Sequence, residues 1–159
     1  MKLALAVILS LAFTPLAAQD HQKGFAAYAD GDYATALQEW MPLAEAGDTE
    51  AQGWLGFMYN NGNGVLQDYA EAVKWYRLAA DQGYARAQTN LGTMYENGRG
   101  VLQDNAVAHM WYNIGSANGN ELGGTNRDSI AEGMTQQAIE QAQAMARECM
   151  SSGYKNCGG

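Results

Sequence analysis

GDTEAQGWLGFMYNNGNGVLQDYAEAVKWYRLAADQ, Gly47 to Gln82, is followed without a gap by GYARAQTNLGTMYENGRGVLQDNAVAHMWYNIGSAN, Gly83 to Asn118. At an offset of 36 residues, 18 of the 36 positions are identical, so one unit is written twice. A fixed period of this length marks an architecture of stacked repeats.

Each copy has the same internal order. Ala51, Leu55, Met58 and Tyr59 recur as Ala87, Leu91, Met94 and Tyr95, at spacings of four, three and one. That places them on one face of a helix. Asn61-Gly62 and Asn97-Gly98 follow and stop that helix, because glycine tolerates a left-handed C-cap. Asp68 and Asp104 are suitable N-caps for a second helix. Glu71 lies three residues after Asp68 and predicts a capping box there; Val107 leaves the second copy without one. The second helix then buries Ala72, Trp75, Tyr76 and Ala79, or Ala108, Trp111 and Tyr112 in its partner. Trp75 and Trp111 hold equivalent places and are expected between neighbouring hairpins. Gly83 and Gly119 close the units. A single hairpin cannot bury its own apolar face, so copies must stack.

The pattern A-x-x-x-L-G-x-M-Y-x-N-G-x-G-V-x-x-D-x-x-x-A-x-x-W-Y resembles the Sel-one-like repeat family, relatives of tetratricopeptide repeats with a longer inner loop. The resemblance implies an all-α, right-handed solenoid of stacked helix-turn-helix hairpins. It also implies an adaptor or regulatory use of the concave surface in the bacterial envelope. Fold alone does not establish function.

The flanks extend the plan. Lys2, an apolar run from Leu3 to Phe13 and Pro15-Leu16-Ala17-Ala18 read as a secretory signal peptide over residues 1–18, cleaved near Ala18. A spanning helix needs about 20 apolar residues, more than this run supplies. The product is expected in the periplasm or secreted, without stable membrane insertion. Residues 19–46 read as a degenerate capping hairpin, because Asp32-Tyr33-Ala34 aligns with Asp68-Tyr69-Ala70. Pro42 inside its second helix predicts a kink or a late break. The two full repeats occupy 47–82 and 83–118. Residues 119–150 are expected to cap the other end, with a Gly-rich loop at 119–124, a short helix at 126–133 and a longer one from Thr135 to Met150. The stretch 151–159 is tail.

The formal net charge is −8, with 17 acidic residues. Such a surface repels phosphate backbones and argues against nucleic-acid binding. The two cysteines, Cys149 and Cys157, lie eight apart at the end of the chain. In an oxidising compartment such a pair suggests a disulfide, with Tyr154 packed back on the final helix. A metal pair or a redox couple are the alternatives. A metal would need further ligands and neither histidine is near in sequence; a redox couple is usually spaced C-x-x-C.

No catalytic constellation assembles. Ser152-Gly153-Tyr154-Lys155 matches S-x-x-K, the nucleophile motif of penicillin-recognising enzymes. Some secreted members of the resembled family carry a β-lactamase label, which makes a β-lactamase-like or other cell-wall hydrolase the alternative function. Here the serine follows the last helix, and no S-D-N or K-T-G partner exists. The Asn-Gly-x-Gly turns follow helices and lack the Lys-Ser/Thr of a phosphate loop. They also lack the acidic series of a Ca²⁺ loop. His21 and His109 are lone histidines with no paired nucleophile nearby in sequence. No cofactor and no metal are expected.

The remaining signal is what the repeat does not repeat. Gly53, Trp54 and Phe57 become Thr89, Asn90 and Thr93. In tetratricopeptide-type solenoids the first helix of each hairpin lines the concave face. Trp54 and Phe57 lie three apart and share a side of that helix. Exposed aromatics beside polar residues have the composition of a binding hot spot. Trp54, Phe57, Asn90 and Thr93 are therefore the candidate contacts for a protein or peptide partner of a monomeric module. The competing explanation is that Phe25 or Tyr28 covers these rings.

Overall fold

The computed structural model describes residues 20–155 and Cys157. The expected leader lies outside the described residues. Among the described residues there are eight helices and no strand: α1 His21–Ala29, α2 Tyr33–Glu45, α3 Thr49–Asn61, α4 Tyr69–Ala80, α5 Ala85–Asn97, α6 Asn105–Ala117, α7 Glu121–Ala131 and α8 Gln136–Ser151. The fold is an all-α solenoid. The 36-residue period runs past the two visible copies: α3, α5 and α7 start at Thr49, Ala85 and Glu121, and α2, α4 and α6 at Tyr33, Tyr69 and Asn105.

Each hairpin is closed by the same contact, an aromatic ring of the second helix lying on a glycine of the first. A Cβ on Gly56 would stand 2.5 Å from the Tyr76 ring, and one on Gly92 would stand 2.5 Å from the Tyr112 ring. The first hairpin repeats the device with Gly24 under the Trp40 indole. No other residue type lets the two helix axes come this close with a large ring between them. In the third copy of the first helix, Asp128 stands where Gly56 and Gly92 stand. Accordingly α7 and α8 do not close on one another as the earlier pairs do; both pack on α6.

Hairpins are joined to one another by a second repeated device. Gln52 donates from its buried side chain to the Ala44 carbonyl at 3.0 Å, and Gln88 donates to the Ala80 carbonyl at 3.0 Å. Their amide oxygens accept from Gln82 at 2.9 Å and Asn118 at 2.8 Å. Each glutamine thus adds a second bond to a last-turn carbonyl of the preceding helix, which already accepts from the Gly47 or Gly83 amide, and ties down the end of its own hairpin. The inner loop adds a third join. Gly64 and Gly100, with φ of +71° and +70°, lie on the first turn of the preceding repeat's second helix, where a Cβ would meet Tyr33 and the Tyr69 carbonyl.

Several local expectations are corrected. Asp68 caps α4 by accepting from the Glu71 amide at 3.0 Å, but Glu71 turns to Lys74 at 2.6 Å instead of closing a capping box. The Asp68 amide is already bonded to the Tyr59 carbonyl across the inner loop. Pro42 sits within α2, which continues only to Glu45, so the missing amide costs one bond in the last turn. The stretch 119–124 is not a loop throughout. Asn120 caps α7 by accepting from the Gly123 amide, and Gly123 is buried against the Ser116 and Tyr112 backbone, where a side chain would not fit.

The two repeat tryptophans differ. Trp111 is fully buried, with α8 packed over α6 and the Arg77 guanidinium 5.1 Å from its ring centre. Trp75 is only half-buried against the N-terminal cluster, because no helix covers α4 as α8 covers α6. The sulfurs of Cys149 and Cys157 lie within bonding distance and their Cα atoms are 4.6 Å apart. Both residues belong to the main core cluster. Tyr154 packs against the core cluster that contains Ala146 and Cys149 of α8, and it reaches further. Its ring lies on Gly83 and its hydroxyl donates to Asn118 at 3.1 Å, so the tail bridges back to the second repeat. Arg77 fixes the same tail by donating to the Cys157 carbonyl at 3.3 Å.

Two outcomes follow. Trp111→Ala should lose about 3–5 kcal/mol in urea unfolding, and Trp75→Ala about 1–2 kcal/mol for a half-buried ring. Equal losses would contradict the role given to α8. Alkylation of the native protein, purified under non-reducing conditions, should label neither Cys149 nor Cys157. Labelling of both would show that the adjacent sulfurs are not joined.

Candidate concave-face site

The first helices α3, α5 and α7 present equivalent positions side by side. One line reads Trp54, Asn90, Asn126; a second reads Phe57, Thr93, Ser129; a third reads Glu50, Arg86, Leu122. Between these helices lies a cavity of about 400 Å³. Trp54 and Phe57 form its apolar wall. Arg86, Thr89 and Asn90 face them from α5, and Asn120 and Leu122 close the far end. The floor is the Tyr84 ring, which can lie against α3 because Gly53 has no side chain; a Cβ there would stand 2.6 Å from it.

Trp54 is half-buried. Its ring stacks on Trp40 at 5.0 Å and meets Phe25 and Tyr28 edgewise or tilted at 5.2 and 5.3 Å. The N-terminal hairpin therefore covers one side of Trp54, as the competing explanation held, while the other side opens on the cavity. Phe57 is 37% exposed. Its contacts are the edges of Trp54 and Tyr28.

The difference between Trp54 and Asn90 has a packing cause. Trp40, Tyr76 and Tyr112 occupy one position of successive second helices, each 36 residues after the last. The Tyr76 hydroxyl faces Asn90 of the next hairpin, while the Tyr112 hydroxyl donates to Glu96 and to Thr93 at 3.2 Å on its own hairpin, with Asn126 of the next one nearby. Burial pushes both phenols above their usual range. Trp40 has no hydroxyl, and a tryptophan stands opposite it. Neither indole N–H of that pair has a partner, so the junction is held by stacking and dispersion. Asn90 is thus shared between the Tyr76 hydroxyl and the cavity. Thr93 does not line the cavity. It donates to the Thr89 carbonyl at 3.4 Å and accepts from the Tyr112 hydroxyl at 3.2 Å.

The charges at the site are sparse. The Arg86 guanidinium lies 5.8 Å from the centre of the Trp54 ring and is in no ion pair among the described residues. Burial raises the Tyr84 phenol; Arg86 opposes this, and Glu50 and Asp48 reinforce it. Asp48 caps α3 and pairs with His21 at 3.2 Å. Arg86, Tyr84, Asn120 and Leu122 were not among the residues singled out from the sequence. The signal that could have found them is the change Glu50, Arg86, Leu122 at one repeated position.

The other sequence candidates lie elsewhere. Ser152 is the C-cap of α8, where its hydroxyl donates to the Cys149 carbonyl at 2.8 Å and accepts from the Lys155 amide at 3.1 Å. The S-x-x-K hydroxyl is therefore engaged in a terminal turn. His109 is buried in α6, and its proton affinity is lowered by desolvation and by Arg127, with Asp128 opposing. Among the described residues no group of three His, Cys, Asp or Glu could hold a metal ion. No described helix is long and apolar enough to cross a membrane.

Comparison with known proteins agrees with this geometry. The Sel1 repeat model matches residues 49–84 and 85–120. A crystal structure of a protective antigen present in uropathogenic Escherichia coli strains, displaying an SLR fold, superposes with a TM-score of 0.80 at 28% identity. That match covers 89% of this chain and 32% of the antigen. A Sel1 repeat protein from Oxalobacter formigenes superposes with a TM-score of 0.67 at 26% identity, over 82% of this chain and 55% of that one. The chain thus spans about a third and about half of the lengths of these two structures. A search of curated proteins finds no significant match. Residues 49–120 thus carry two consecutive Sel1 repeats, and the solenoid around them is similar to that of these two structures.

Proposed function

We propose that this chain is a protein–protein interaction module that takes a segment of a partner protein into the cavity between α3, α5 and α7. The observation that carries the reading is the exposed edge of Phe57 beside the open side of Trp54, at positions where the two repeats carry different residues. Sel1-repeat solenoids are generally interaction modules, which supports the same reading. An apolar wall with a few polar groups set opposite it is the usual build of a binding cleft. The module acts as an adaptor or regulator in the bacterial envelope, as a monomer in the periplasm or outside the cell. Support for that location comes from the charged start and apolar run of residues 1–18 and from the adjacent cysteines. It performs no catalysis. The Ser152 hydroxyl serves the α8 C-cap, donating to the Cys149 carbonyl and accepting from the Lys155 amide.

Phe57→Thr separates binding from folding, since the second repeat already carries threonine at the equivalent position. The substitution should change stability by less than about 1 kcal/mol, because the ring is substantially exposed. Trp54→Asn is a poor probe, because it leaves Trp40 facing an unmatched amide. A photo-crosslinking residue placed at position 57 should capture a discrete partner in cells, and one placed at Ala117 should not. Equal capture from the two positions would contradict the concave-face assignment.

A further inference from the structure

We infer that the cavity selects the C-terminal residue of its partner, reading a free carboxylate with Arg86 and an apolar terminal side chain with Trp54, Phe57 and Leu122. The inference rests on the concave cavity being the binding face. Among the described residues Arg86 is the only cation lining that cavity, in a chain of net charge −8. A groove cation with no ion-pair partner among the described residues, in so acidic a protein, fits an anionic group on the ligand. Its guanidinium can bind a carboxylate in a planar, two-pronged geometry.

Distance then restricts which carboxylate. Arg86 lies only 5.8 Å from the Trp54 ring centre, so the ligand's charge and its apolar group must sit within one residue of each other. A chain terminus meets this condition, because carboxylate and side chain branch from the same Cα. An internal acidic residue in an extended peptide points its neighbours' side chains to the opposite face. A cavity of about 400 Å³ accommodates one or two residues rather than a long crossing strand. The amides of Asn90 and Asn120 offer donors and acceptors for the last peptide group. Asp48 and Glu50 lie close enough to raise the Tyr84 phenol at the cavity floor. They repel a ligand carrying several acids and so favour a single carboxylate placed at Arg86.

The probe is a set of hexapeptides ending in Leu, Ile, Val, Met or Phe, each made with a free C-terminus, as the C-terminal amide, and as an amide with an internal Asp. Binding to the mature protein is read by fluorescence anisotropy at low salt. Free-carboxylate peptides should bind about tenfold more tightly than their amides, the scale of one charge-assisted contact. Arg86→Gln should abolish that preference, so that acid and amide forms bind alike, and Arg86→Lys should restore part of it. Phe57→Thr should weaken all three forms together. Equal binding of acid and amide, with Arg86→Gln silent, overturns this inference and leaves the groove reading intact. Preference for the internal Asp form also overturns it. Failure of every peptide to bind overturns both.

Discussion

The structure depends on an aromatic ring lying on a bare glycine. Gly24 under Trp40, Gly56 under Tyr76 and Gly92 under Tyr112 set the distance between the two helices of each hairpin. Everything else is placed by that distance. The close approach brings Ala36, Ala72 and Ala108 of the second helices into full burial. It also leaves the first helices on one side of the molecule, where their remaining faces form a continuous surface. Where the glycine is replaced by Asp128, the hairpin opens and α8 moves onto α6 instead, covering Trp111 and carrying the tail with it.

The same rings link closure to the candidate site. Each also reaches the first helix of the following hairpin, so one side chain closes its own unit and chooses its neighbour. Two junctions place a tyrosine hydroxyl near an asparagine of the next hairpin. The first junction uses two stacked indoles. That indole pair puts an aromatic wall at one end of a face whose other members are mixed, with Arg86, Thr89 and Asn90 beside the Tyr84 ring and Leu122. The exchange of Glu50 for Arg86 then adds a cation beside that wall. The asymmetry of the cleft is thus a consequence of how the N-terminal end is packed, not an addition to it.

Much of the fold was legible in the chain. A helix face repeats at its own spacing, a turn shows its glycines, and the 36-residue offset aligns one copy on the other. The third copy of the first helix escaped because Gly123, Gly124 and Asp128 replace the alanine, glutamine and glycine that mark it elsewhere. Its glycines look like loop until the close approach of Ser116 and Tyr112 to Gly123 is seen. Of the site, Trp54 and Phe57 could be found as non-repeating aromatics, but not that Trp54 answers Trp40. That pairing joins residues 14 apart on different hairpins, and only the stacked geometry reveals it. The difference between Trp75 and Trp111 was hidden for the same reason, since it depends on where α8 lies.

The ring-on-glycine account makes a claim opposite in sign to local propensity. Gly92 lies in the middle of α5, where alanine is intrinsically better for a helix by about 1 kcal/mol. A methyl group there would stand 2.5 Å from the fully buried Tyr112 ring, and relieving that overlap should cost about 1–3 kcal/mol. Equilibrium unfolding of Gly92→Ala therefore decides the matter. The account predicts a lower unfolding midpoint than that of the parent protein. An unchanged or raised midpoint would show that the second helix does not rest on this glycine, and would contradict the account.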